Sequence, residues 1–165
     1  MAEIKFAGNP AHTVGNLPEV GSVAPDFVLT KQDLSDLKLS DLKGKRVVLN
    51  IFPSLDTDVC AASVRRFNAD ASSLENTIIV CVSMDLPFAA TRFCTVNGIE
   101  NVITGSGFRS DFGKTYGVSI AEGPFKDLYA RALVVIDEEG KVIATELVEE
   151  ITNEPDYSVA ENVLK

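Results

Sequence analysis

Cys60 stands at a junction. The apolar run RVVLNIF (46–52) stops at Pro53 and a helical pattern opens near Thr57, which puts this cysteine in the first turn of a helix. Unpaired N–H groups and the positive end of the helix dipole favour an anion there. Thiolates at helix starts or beside arginine titrate at roughly 3.5 to 7.5, below the ~8.5 of a free thiol, and the thiolate is the nucleophile. Asp58 acts the other way, because a nearby carboxylate raises the cost of a second negative charge. The competing reading is a buried cysteine that only packs. Thr57 offers a hydroxyl that can cap the helix or bond to a thiolate or a bound oxygen. Arg131 opens the apolar strand ALVVID, and arginine is rarely taken into a sheet unless it holds an anion. Pro53 needs no role beyond ending its strand.

The other two thiols differ. Cys94, in the helical stretch PFAATRFCTVNG (87–98), is open to two readings, core filler or redox partner. Cys81 is flanked by Ile79, Val80 and Val82 in an apolar strand and reads as an inert small hydrophobe. Three cysteines and one histidine do not make a zinc site, since no two of them stand at a ligand-like C-x(2–4)-C spacing. A Cys–His hydrolase would have to recruit His12 from the far N-terminus. A thioredoxin-style dithiol needs C-x-x-C, and residues 60–63 read CAAS.

These residues need elements to hold them. RVVLNIF and TIIVCVSMD (77–85) are continuous apolar runs of strand length, the pattern of strands buried on both faces. Between them, Val59, Ala62, Ser63 and Phe67 fall on one helical face, with Arg65 and Arg66 turned away. Strand, helix, strand predicts a βαβ unit and a parallel pair. Residues 87–98 form a second helix stopped by Asn97 and Gly98, and SDFGKTYG a shorter one. ARALVVIDEEGKVIATELV (130–148) is a hairpin turned at Gly140, and DYSVAENVLK a closing amphipathic helix. At the N-terminus, EIKF and HTVG predict a small hairpin turned by Asn9 and Pro10, followed by a short strand over 24–30 and a polar, turn-rich stretch after it. The expected architecture is α/β: a thioredoxin-like fold, a mixed β-sheet flanked by helices, with an N-terminal β-hairpin extension.

Length and charge narrow the classes. A chain of 165 residues, 45% hydrophobic and without repeats or linkers, fits one domain spanning 1–165. A net charge of −9 disfavours nucleic acid and anionic membrane surfaces as partners. The start, MAEIKFAGNPAHTVG, lacks a basic region followed by an apolar core, and three cysteines leave one unpaired; both point to a reducing cytoplasm.

PSLDTDVC (53–60) resembles the Pro-x-x-x-Thr-x-x-Cys signature of peroxiredoxins, and Arg131 fits their strand-borne arginine. The wider wording resembles one subfamily, the thiol-peroxidase-type atypical two-cysteine peroxiredoxins. LNIFPSLDTDVCAASVRRFN, DLPFAATRFC, NVIT, ARALVVIDEEGKV and EITNEPDY carry that likeness along essentially the whole chain. The resemblance implies an antioxidant peroxidase acting on hydrogen peroxide and organic hydroperoxides. It gives Cys60 the role of peroxidatic nucleophile and Cys94 that of resolving thiol. Thr57 and Arg131 would hold peroxide and thiolate, Pro53 would shield the pocket, and Cys81 has no assigned part. It further implies a Cys60–Cys94 intramolecular disulfide, thioredoxin as reductant and a homodimer. No bound cofactor is required, because sulfur carries the electrons. Since a disulfide needs Cα atoms about 4.4 to 6.8 Å apart, one or both helix segments are expected to unwind in turnover, the one before Asn97 and Gly98 most readily. Two other classes share these residues: a redox sensor using the same disulfide, and a thioredoxin-fold binding module with incidental thiols.

Overall fold

The computed structural model describes residues 1–164. Its centre is a seven-stranded mixed sheet, built on the two apolar runs. β5 (Arg46–Ile51) and β6 (Thr77–Ser83) pair in parallel, from Arg46 against Thr77 to Ile51 against Val82, and α1 (Asp58–Asp70) crosses between them. β7 (Ile103–Ser106) continues the parallel order beside β6, and the antiparallel hairpin of β8 (Ala132–Ile136) and β9 (Val142–Leu147) flanks β5. β3 (Val28–Thr30) and β4 (Asp36–Lys38) complete the order β4-β3-β7-β6-β5-β8-β9. β1 (Glu3–Phe6) and β2 (Asn9–His12) form a separate two-stranded ribbon.

Side-chain alternation along the central strands sorts the molecule into two layers. Val47, Leu49, Ile51, Val80, Val82 and Val134 face one core with Phe112, from the short α3 (Phe112–Thr115), and Tyr116. Val48, Phe52, Ile79, Cys81, Leu133 and Val135 face the other, covered by α1, α2 (Pro87–Asn97) and α4 (Ser158–Leu164). All three cysteines lie in this second core. Arg131 shares the parity of Leu133 and Val135, so register alone turns it toward α1. Among the described residues, no helix is long and apolar enough to cross a membrane.

The predicted helices and the β5–α1–β6 unit are present; the final residue of the closing helical pattern, Lys165, lies outside the described residues. Four details differ. The N-terminal turn is Ala7–Gly8, both at positive φ (47° and 84°), and Asn9 and Pro10 belong to the second strand. A two-residue turn with positive φ at both positions matches strand twist, and Pro10 is tolerated because a two-stranded ribbon leaves N–H positions unpaired. The strand expected over 24–30 covers only 28–30, and the polar stretch after it contains β4. β7 has no apolar run to announce it: Thr104, Gly105 and Ser106 are buried by their neighbours, and a Cβ on Gly105 would lie 2.8 Å from Leu29 Cδ1. The buried face of α1 is Cys60, Ser63, Val64 and Phe67, leaving Val59 and Ala62 half-buried.

Candidate active site

α1 starts where β5 has run out. Phe52 still donates its N–H to the Val82 carbonyl (3.1 Å); Pro53 then ends the pairing and the chain turns through 54–57. Thr57 is the N-cap residue, with extended backbone (φ −100°, ψ 145°), and its carbonyl accepts the Ala61 N–H at 2.9 Å. Its hydroxyl does not cap the helix. It donates back to the Ser54 carbonyl at 3.1 Å, so the capping role open to it in the sequence is absent and its side chain braces the loop instead.

Cys60, in that first turn, has no exposed surface. Arg131 Nη2 donates toward its sulfur at 3.4 Å, and Arg131 Nε donates to the Ile151 carbonyl at 2.9 Å. The guanidinium is itself 2% exposed, and its Nη1 has no hydrogen-bond partner. A buried cation with one N–H on sulfur and another unspent is arranged to hold negative charge on or beside that sulfur. Asp58, by contrast, is exposed at the helix start, where water screens its charge and the dipole welcomes it. Pro53 is buried, as are Phe52 and Leu55.

Cys94 is on α2, 7% exposed, in the same apolar cluster as Cys60. Gln32 Nε2 donates to its sulfur at 3.5 Å and to Thr104 Oγ1 at 3.1 Å. Burial pushes the Cys94 thiol up, and the Gln32 amide partly offsets that. α2 ends at Gly98 in the left-handed region (φ 65°), and the Ile99 N–H returns to the Cys94 carbonyl at 2.9 Å. Cys81 is pushed up to about 12 by burial. A thiol held protonated in a dry strand is a poor nucleophile. All three cysteines are free, and no cluster of metal-ligating side chains occurs among the described residues. His12 pairs with Glu122 on the N-terminal ribbon and approaches no cysteine as a hydrogen-bond partner.

Contacts from Asn50, Ser63, Gln32 and Ile151 support the site and were not predicted from the sequence. Asn50 Nδ2 donates to Ser63 Oγ at 3.2 Å and toward Cys81 Sγ at 3.7 Å, and Ser63 Oγ donates to the Cys60 carbonyl at 2.7 Å, tying the first turn of α1 to the sheet. Gln32 and Ile151 reach the site from 62 and 20 residues away, on Cys94 and Arg131 respectively. Only the polar Asn50 inside an otherwise apolar run carried a local signal.

The redoxin family model matches residues 19–164. The chain belongs to the redoxin family. Within it, the relatives are specific: it is 51% identical to a thiol peroxidase of Corynebacterium glutamicum, over 97% of this chain and 97% of that protein. It is 54% identical to a thiol peroxidase of Mycobacterium tuberculosis, over 97% of this chain and 96% of that one. A solved peroxiredoxin-like protein from Aquifex aeolicus superposes with a TM-score of 0.94 at 40% identity, covering 99% of this chain and 96% of that chain. This redoxin is a thiol-dependent peroxidase, an oxidoreductase that spends a thiol reductant on a hydroperoxide. The thioredoxin-like fold expected from the sequence is the fold of these redoxins.

Proposed function

We propose that Cys60 is the peroxidatic nucleophile and Cys94 the resolving thiol of this peroxidase. The single observation that carries the assignment is the buried Arg131 guanidinium 3.4 Å from the Cys60 sulfur, with a second N–H unspent. The Cys60 thiolate attacks the nearer peroxide oxygen, the O–O bond breaks, and the departing oxygen leaves as water or an alcohol after taking a proton. Arg131 steadies the charge that builds on that oxygen, as oxyanion donors do. Cys60 is left as a sulfenic acid. Thr57, braced on Ser54, and Pro53, buried in the wall, complete the pocket. Cys94 then attacks the sulfenic sulfur, expelling water and leaving a Cys60–Cys94 disulfide.

Both sulfurs are seated in packed helices, so bond formation requires α2 to yield near its Gly98 end. Thioredoxin is the reductant we assign, by dithiol exchange on that disulfide. Hydrogen peroxide and organic hydroperoxides are both substrates in this reading. We further infer a single cytoplasmic domain that pairs as a homodimer, for which exposed Leu86 (50%) and Phe88 (67%) at the root of α2 supply an apolar face. A sensor would form the same disulfide without sustained consumption, so steady peroxide reduction with thioredoxin and its reductase separates the two. Cys60→Ser must abolish that turnover. One equivalent of peroxide must remove two hydrogens from the intact mass; a gained oxygen with no bond would refute resolution by Cys94.

A further inference from the structure

Asp85 lies between the end of β6 and the root of α2, in the DLPFAATRFC stretch that leads to Cys94. Its carboxylate does not face its own helix. It accepts the Ser54 hydroxyl at 2.8 Å, the Leu55 N–H at 2.7 Å and the Ser83 hydroxyl at 2.7 Å. Its carbonyl accepts the Ser106 hydroxyl at 2.6 Å, which anchors it to β7 as well. Ser54 and Leu55 belong to the loop that ends β5 and starts α1. From Ser54 the chain of contacts continues: its Oγ accepts the Asp56 N–H at 3.1 Å, and its carbonyl accepts both the N–H and the hydroxyl of Thr57, at 3.2 and 3.1 Å. One carboxylate side chain at the foot of the Cys94 helix therefore holds the loop from which the Cys60 helix springs.

We propose that Asp85 is a positioning residue that clasps loop 53–57 onto the root of α2 and keeps the Cys60 site assembled during the peroxide step. This rests on the assignment of Cys60 as nucleophile. The carboxylate has the right chemistry for the task. It is an acceptor of several bonds at once, and hydrogen bonds to a charged group are about twice as strong as neutral ones. The clasp fixes the near end of α2 while leaving the far end, beyond Cys94, free of it. When α2 yields to bring the two sulfurs together, it does so from the Gly98 side with the Cys60 loop still closed.

The test compares the natural protein with Asp85→Asn and Ser54→Ala. Rapid-quench mass spectrometry gives the rate of Cys60 oxidation by hydrogen peroxide, and peptide mapping gives the alkylation rate of each cysteine by iodoacetamide without peroxide. Asp85→Asn is expected to slow oxidation at least about 10-fold, the scale set by a small misplacement of reacting groups. It should at the same time speed alkylation of Cys60, which the closed loop now seals, while Cys81 and Cys94 stay as protected as before. Opposite signs at one sulfur are what a released loop produces and general unfolding does not. Oxidation at the natural rate overturns the proposal. If Asp85→Asn exposes all three cysteines together, Ser54→Ala decides: slower oxidation with Cys81 protected supports the clasp, and no change overturns it. Failure of the underlying assignment looks different, since Cys60→Ser would then still consume peroxide.

Discussion

Arg131 Nη2 lies 3.4 Å from the Cys60 sulfur, 71 residues away in sequence, and neither side chain keeps appreciable solvent contact. The sheet makes this pair. Alternation along β8 turns Arg131 to the α1 face, and the end of β5 delivers the first turn of α1 to the same place. Replacing Arg131 with methionine keeps the buried volume and removes the charge. Cys60 oxidation should then slow by about 100-fold, the usual scale for losing one donor to a developing oxyanion. Single-turnover oxidation, quenched and read by mass, measures it.

The Ile151 carbonyl takes the other arm of the guanidinium, and the ribbon holds that segment in place. Ile151 donates its N–H to the Lys5 carbonyl at 2.9 Å, while the Ala7 and Gly8 N–H groups donate to the Glu150 carboxylate at 3.0 and 2.7 Å. These backbone donors, together with Thr152, lower the Glu150 carboxyl against the opposing effect of desolvation. Glu150→Ala should slow Cys60 oxidation several-fold, because the segment carrying the Ile151 carbonyl loses its tie to the ribbon. In an Arg131→Met background it should add nothing. Equal slowing in both backgrounds would show that the ribbon does not act through Arg131.

Cys94→Ser should leave the first oxidation of Cys60 fast and stop the cycle there. A dimedone adduct on Cys60 should accumulate, and steady turnover with thioredoxin and its reductase should collapse. In the natural protein the oxidised form should exchange amide hydrogens faster across 93–98, where the last turn of α2 must open, than across β5 and β6. Hydrogen exchange with mass spectrometry reports both regions at once.

Cys81 makes a prediction about pH. Burial pushes its thiol up to about 12 in the folded chain, whereas an unfolded thiol titrates near ~8.5. The folded state thus keeps a proton that the unfolded state releases as pH rises. The associated stability is complete below ~8.5 and is lost progressively toward 12, by up to about 1.4 kcal/mol per pH unit. Tyr129, pushed up to about 12 by burial, adds to the same alkaline loss. Thermal midpoints should fall from pH 9 upward, and Cys81→Ala should flatten that fall while leaving peroxide turnover intact. An unchanged slope would contradict the burial argument.

How much of this was legible is best judged residue by residue. Two apolar runs rich in β-branched side chains can only be satisfied as buried strands, so β5, β6 and the helix between them followed from patterning. Helix-start placement drew attention to Cys60 and Thr57 and strand placement to Arg131, while roles for Pro53 and Cys94 came only from the resemblance to peroxiredoxins. β4 and β7 escaped because they are three or four residues long and partly polar, and their burial is imposed by neighbours such as Leu29. The N-terminal turn was misplaced because Asn9 and Pro10 resemble turn residues, whereas the chain turns at Ala7 and Gly8.

The one-dimensional pattern therefore determined which elements form and marked Cys60 as a candidate nucleophile at a helix start, since hydrophobic period and helix-start chemistry are local properties. Only the tertiary structure decided what each reactive group touches. Asp85 on the active-site loop, Gln32 on Cys94, Asn50 beneath α1 and Ile151 on Arg131 are isolated polar contacts across 20 or more residues, apart from Asn50 on Ser63 at 13. Such contacts leave no periodicity to read, because strand register and helix packing fix them in space and not along the chain.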